Sequence, residues 1–177
     1  SSEERLRAVI EDLKRLAEES RKRHKELIDE LAKAVRDHMV LHEYVNAAGI
    51  TVVDDIRRGV SEELLKRIEE VLDEIRKELE ENIKRIRKVL DELRRTSEEN
   101  IARIEKVLRE LEDLVRKGGS DADTIIEEVK RVLEELARST EEVEKRVRDA
   151  IEELERSSEE LARRIKEVLK RLEEETR

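Results

Sequence analysis

The sequence predicts an all-α fold: a straight, up-down-up bundle of three helices of about 55 residues each. Three observations carry that expectation. Half of the 177 residues are charged, yet the apolar residues recur at spacings of three and four, which places them on one helical face and argues against disorder. No proline interrupts the chain, and three of its four glycines sit in two clusters that divide it into near-equal thirds. Within those thirds a residue pattern recurs with a shift of 18.

The two breaks follow one logic. Gly59-Val60-Ser61 follows Arg57-Arg58 and precedes Glu62-Glu63. This reads as a basic helix end, a glycine just past it, then a serine N-cap with acids in the first turn. Gly118-Gly119-Ser120-Asp121 after Arg116-Lys117 repeats the arrangement. The predicted helices are therefore about 2–58, 61–117 and 121–176, within one domain spanning 1–177. Each would be roughly 85 Å long at about 1.5 Å per residue. Equal lengths and short loops predict antiparallel neighbours.

The repeat fits this. Glu81-Asn82-Ile83-Lys84-Arg85-Ile86 returns as Glu99-Asn100-Ile101-Ala102-Arg103-Ile104, and the stretch from Val132 to Thr140 returns from Ala150 to Ser158. Ile10, Leu13 and Ala17 map onto Ile28, Leu31 and Val35 by the same shift. Eighteen residues make five whole turns at about 3.6 per turn, so the stripe does not drift and the bundle is expected to be nearly straight.

The predicted core stripe of the second helix is Leu65, Ile68, Leu72, Ile75, Leu79, Ile86, Leu93, Ile104, Leu108 and Leu111. That of the third is Ile126, Val129, Leu133, Leu136, Val143, Val147, Leu154, Leu161, Ile165 and Leu172. Polar residues interrupt the stripes at set levels. With the first and third helices parallel, Ser20 and His24 come level with Ser97, Asn100, Ser139 and Thr140. One repeat along, His38 and His42 come level with Asn82, Ser157 and Ser158. These are expected to form two buried hydrogen-bond layers that set register, and a layer only partly satisfied would be a weak point.

Charge and composition exclude much. The net charge of −9 disfavours nucleic acid and anionic lipid as partners. No apolar run is long enough to span a membrane, and no signal peptide is recognisable; Ser1-Ser2 reads as a cloning remnant. Without cysteine there is neither a thiol nucleophile nor a thiolate metal site. His38 and His42, four apart, share a helical face that suits a metal, but no third ligand stands out and hydrogen bonding to Asn82 and Ser157 is the preferred reading. Ser20 with His24 resembles a Ser–His pair, and the core-network reading is again preferred. Arg94-Arg95-Thr96-Ser97 has the pattern of a basic-directed kinase site but falls on a core layer. No phosphate loop or glycosylation sequon occurs. No enzymatic activity, cofactor or resident metal is expected, and the chain is expected to be a monomer.

One run departs from the idiom: Arg36-Asp37-His38-Met39-Val40-Leu41-His42-Glu43-Tyr44-Val45-Asn46-Ala47-Ala48-Gly49-Ile50-Thr51. It holds the only tyrosine and the only methionine of the chain. As a helix it continues the first stripe through His38, Leu41 or His42, Val45, Ala48, Val52 and Ile56. As a strand it puts Met39, Leu41, Glu43 and Val45 on one side and His38, Val40, His42 and Tyr44 on the other. The helical form is penalised: Gly49 costs about 1 kcal/mol against alanine, and with the β-branched residues and Asn46 the sum is roughly 3–4 kcal/mol before packing. The last third of the first helix should therefore be its least stable part.

Residues 36–51 resemble, without a visible departure, the eleventh β-strand of green fluorescent protein in the form used as the small tag of split fluorescent proteins. The rest of the chain resembles designed helical bundles, including switchable cage-and-latch proteins; a period that subdivides all three helices suits a parametric backbone. The resemblance implies a barrel-lining face of Met39, Leu41, Glu43 and Val45, with Glu43 beside the chromophore. It implies a partner, the ten-strand fluorescent protein fragment, and a synthetic, soluble protein, cytoplasmic on recombinant expression. Two functions are then open. The leading expectation is a switch or sensor that hides the strand as a buried helix until a trigger helix, a protein ligand or the fragment itself releases it. The alternative is a structural scaffold carrying a detection tag. A tag meant only for detection belongs at a terminus or in a loop, whereas this run was threaded in phase with the core stripe.

Overall fold

In a computed structural model describing residues 2–118 and 121–176, the chain is an all-α three-helix bundle: α1 (Ser2–Ile56), α2 (Glu62–Lys117) and α3 (Ala122–Thr176). Ser1, Gly119, Ser120 and Arg177 lie outside the described residues, and with them the expected second glycine and serine of the α2–α3 break. Among the described residues there is no strand, and no helix is long and apolar enough to cross a membrane.

The helix ends follow from the residues at them, with two corrections. Ser61 caps α2: its Oγ accepts from the Leu64 N–H at 3.3 Å, and its carbonyl accepts from the Leu65 N–H at 3.0 Å. Asp121 does the same for α3, its carboxylate accepting from the Asp123 N–H at 3.3 Å. Gly118 takes the left-handed conformation, φ 70°, which only glycine adopts without strain, and its N–H reaches the carbonyls of Leu114 and Val115. Gly59 differs from expectation. It is not left-handed; α1 stops at Ile56, two residues short of the predicted end, and the Gly59 N–H bonds to the Ile56 carbonyl at 3.0 Å in a tighter turn. The arginines meant for the last turn of α1 thus fall outside the helix.

The chain divides into two compact units, one of Ser1–Glu30 with Leu90–Arg148, the other of Leu31–Val89 with Asp149–Arg177. The first unit is built on Ile10, Leu13 and Ala17 of α1, Ile101, Ile104, Leu108, Leu111 and Val115 of α2, and Ile125, Val129, Val132 and Leu136 of α3. Polar pairs across its seams give the directions. Lys14–Glu112, Arg21–Glu105 and His24–Ser97 fall on α2 as they rise on α1, so these helices are antiparallel. Ile10, Leu13 and Ala17 share their core with the start of α3, Ile125 to Leu136, and His24 farther along α1 meets Thr140 farther along α3, so α1 and α3 are parallel. Such exposed ion pairs contribute only about 0–1 kcal/mol each, and their use is to select register. The Lys14–Glu112 contact at 2.7 Å raises the lysine and lowers the carboxyl from their ordinary pKa values, the shared hydrogen bond being the main cause in both.

In the second unit, Val45 packs with Ile75, Leu79 and Leu161, while Leu64, Ile68, Val168 and Leu172 form a further cluster edged by Val52, Val53 and Ile56. Arg164–Glu78 and Arg85–Glu153 set α2 against α3 in the antiparallel sense there.

The core stripe is rotated by one residue at several positions. Ile125, Val132 and Leu64 are buried, whereas the expected Ile126 and Leu133 are exposed and Leu65 is only half-buried. Adjacent residues are about 100° apart on a helix, and either member of an Ile-Ile, Val-Leu or Leu-Leu pair satisfies the spacing rule. Ile83, Leu90, Ile101 and Val115 also join the core.

Candidate functional site

All of residues 36–51 are helical and lie inside α1. One face is turned inward: His38 and Val45 are buried, while Met39, Leu41, His42, Asn46, Ala48 and Gly49 are half-buried. Arg36, Asp37, Glu43, Ala47 and Thr51 are exposed, as expected of polar and small residues on the outer face. Three large apolar side chains are exposed as well: Val40 at 64%, Tyr44 at 71% and Ile50 at 67%. The helix leaves most of their apolar surface in solvent. All three have even numbers, so an extended backbone would bring them to a single side.

Packing along this run is loose. A groove of about 450 Å³ opens where Gly49 faces α2, lined by Val45, Ile50, Val53, Leu72 and Arg76 among others. Thr51 returns its hydroxyl to the Ala47 carbonyl at 3.0 Å, a local bond that competes mildly with the helical ladder. The Arg87 guanidinium reaches the Met39 sulfur at 3.0 Å, where the thioether is a weak acceptor.

The two predicted polar layers differ in how well they are satisfied. In the first unit His24 is 1% exposed, and both ring nitrogens are engaged: Nδ1 with Ser97 Oγ at 2.9 Å and Nε2 with Thr140 Oγ1 at 3.0 Å. Burial pushes its pKa below the usual histidine value, against a smaller opposing pull from Glu144. A neutral ring has one donor and one acceptor nitrogen, and the two hydroxyls rotate to match. Beside it, Asn100 donates to Ser139 Oγ at 3.4 Å and accepts from Arg103 at 3.2 Å. Ser20, placed in this layer by the repeat, is half-buried and forms no hydrogen bond with the set among the described residues.

In the second unit Asn82 donates to Ser157 Oγ at 2.7 Å and accepts from Arg85 at 2.8 Å. His38 is 4% exposed, and its Nδ1 lies 3.3 Å from Ser158 Oγ. Among the described residues its Nε2 has no hydrogen-bond partner, nor has the buried Nε2 of His42. His42 does not join Asn82, Ser157 or Ser158; its Nε2 faces Glu80 at 3.8 Å, beyond hydrogen-bond reach. Burial, and secondarily His42, depress the pKa of His38.

Four contributors were not singled out from the sequence: Glu80, the Leu154 carbonyl that accepts from Ser158 at 3.1 Å, and Arg85 and Arg103. The two arginines carried a signal. Each stands three residues after its asparagine in the repeated motif, the spacing at which helical side chains meet. Glu80 carried none, being one exposed glutamate among many.

Among the described residues no group of three or more His, Cys, Asp or Glu is assembled to hold a metal. No family model, curated protein or solved structure matches the chain.

Proposed function

We propose that this chain is a designed conformational switch in which a fluorescent-protein strand, residues 36–51, is held as helix and released to complete a ten-strand fluorescent protein fragment. The observation that carries the reading is the helical state of a run whose sequence resembles a β-strand: it lies wholly inside α1, with His38 and Val45 buried. Support comes from its poor fit as a helix. It has orphaned imidazole nitrogens, three exposed apolar side chains and a groove at its glycine.

In the closed state the backbone donors and acceptors of the run are spent on the helix and cannot pair with a barrel edge. Once extended, they would bond to two neighbouring strands, and those main-chain bonds would supply much of the affinity. The chromophore would mature in the partner. Apparent affinity scales with the open fraction, so a cage of about 3 kcal/mol weakens capture by roughly 100-fold. Sixteen residues span about 24 Å as helix and about 53 Å as strand, so both flanks cannot stay docked while the strand is in use. Because Gly59-Val60 tethers the far end to α2, residues 1–35 are expected to peel away with it. The trigger is a competing helix, a protein ligand or the fragment itself.

The test mixes folded protein with the ten-strand fragment. Slow or trigger-dependent fluorescence is the expected result. Immediate full fluorescence, at the rate of the free peptide, would replace the switch by a scaffold bearing a detection tag. Amide exchange gives an independent check: residues 36–56 should exchange early, and protection equal to that of α2 and α3 would contradict a latch.

A further inference from the structure

We infer that His38 and His42 form a two-point site for a divalent transition-metal ion of the zinc class, and that the ion locks residues 36–51 in the helical state. The locking half rests on the caged-strand reading above; the binding half does not.

The hydrogen bonds around His38 engage Nδ1 and leave Nε2 free among the described residues. The Ser158 hydroxyl lies within reach of both the Leu154 carbonyl, at 3.1 Å, and His38 Nδ1, and its single hydrogen serves one of them at a time. With that hydrogen on the Leu154 carbonyl, Ser158 accepts from Nδ1–H at 3.3 Å, and this is the tautomer that leaves the Nε2 lone pair to a metal. Nε2 is buried and has no hydrogen-bond partner among the described residues. This is the arrangement of a metal-binding imidazole, with its second nitrogen held by a hydrogen bond that fixes tautomer and ring plane. His42 offers a second buried, unpartnered Nε2 one helical turn on. Two histidines four apart on one helical face are the zinc-binding spacing of helical metalloenzymes.

The surroundings favour a cation. Glu80 stands 3.8 Å from His42 Nε2, and Asp37, Glu155 and Glu159 line the groove beside His38. With no third ligand already assembled among the described residues, Glu80 or water would complete the shell. His24 is the internal contrast: both of its nitrogens are engaged, so it offers no free lone pair.

The site exists in one conformation only. Zinc–nitrogen bonds are about 2.0–2.1 Å, so the two donors must come within about 4 Å of each other. In a helix the Cβ atoms of residues four apart are about 5–6 Å from one another, within reach of a side-chain rotation. In a strand the same residues are about 13 Å apart and cannot share an ion. A ligand that binds only the closed state shifts the population toward it by mass action.

The test uses the full chain with no added histidine tag. Zinc chloride is titrated in at neutral pH by calorimetry, and thermal unfolding is followed by circular dichroism with and without the ion. One zinc per chain and a raised unfolding midpoint are expected. Both should be lost in His38→Gln and His42→Gln and kept in His24→Gln. If those variants fail to fold, the nitrogen chemical shifts of the unsubstituted chain decide: Nε2 resonances of His38 and His42 that do not respond to zinc overturn the site. Complementation is then measured with zinc at about ten times its Kd, where about tenfold slowing is expected, reversed by chelator and absent for the free peptide. No binding overturns the site and leaves the caged-strand reading intact. Binding without slowing overturns the lock and counts against the cage.

Discussion

Replacing Gly49 by alanine should tighten the closed state. Gly49 has ordinary helical neighbours on both sides and no positive φ, so a side chain is admissible. A Cβ there would meet Leu72 Cδ1 at 3.4 Å and Cδ2 at 3.6 Å, which is van der Waals contact rather than a clash. Alanine is better than glycine in a helix interior by about 1 kcal/mol. The new methyl also covers part of the groove wall, adding a few tenths of the ~0.8 kcal/mol expected for a fully buried methylene. About 1–1.4 kcal/mol corresponds to a five- to tenfold smaller open fraction. The assay is the initial rate of fluorescence gain with excess ten-strand fragment. It is divided by the rate for a free peptide of residues 36–51 carrying the same change, which removes any effect within the barrel. A normalised rate that is unchanged or faster would show that opening of this helix does not control capture.

Three further outcomes follow from the packing. Ile125→Ala should cost about 2–5 kcal/mol by urea unfolding, whereas Ile126→Ala should cost under about 1 kcal/mol; equal losses would refute the observed rotation of α3. Ser97→Ala leaves His24 Nδ1 buried without its partner at 2.9 Å and should cost about 1–3 kcal/mol, so a neutral result would imply that the ring is solvated. His24 has a depressed pKa in the folded chain, so its neutral-form advantage is complete above the unfolded value of about 6.5 and is lost as pH falls below that toward the folded value. Unfolding midpoints at about pH 7.5 and 5.5 should therefore drop more for the parent chain than for His24→Gln, and an equal or smaller drop would contradict burial of the neutral ring.

The polar layers show where reading the chain alone stops. The 18-residue repeat brings His24 to the level of Ser97, Asn100, Ser139 and Thr140, because level depends only on rise per residue and helix direction. Which members bond depends on helix rotation and on rotamers. Ser20 is therefore left aside while Thr140 is engaged, and His42 faces Glu80 rather than Asn82. The same holds for the glycines: Gly59 and Gly118 have similar flanks, yet only Gly118 is left-handed.

Helix number, approximate ends and the presence of an inward face follow from the chain alone, since turn residues and a 3.6-residue period are local properties that no partner needs to supply. The tertiary structure alone decides between Ile125 and Ile126, Val132 and Leu133, or Leu64 and Leu65, because a stripe about 100° wide accommodates either neighbour until the other two helices meet it. It also decides that both nitrogens of His24 are matched while, among the described residues, His38 and His42 each keep one unpartnered, since a partner across a seam comes from residues distant in sequence.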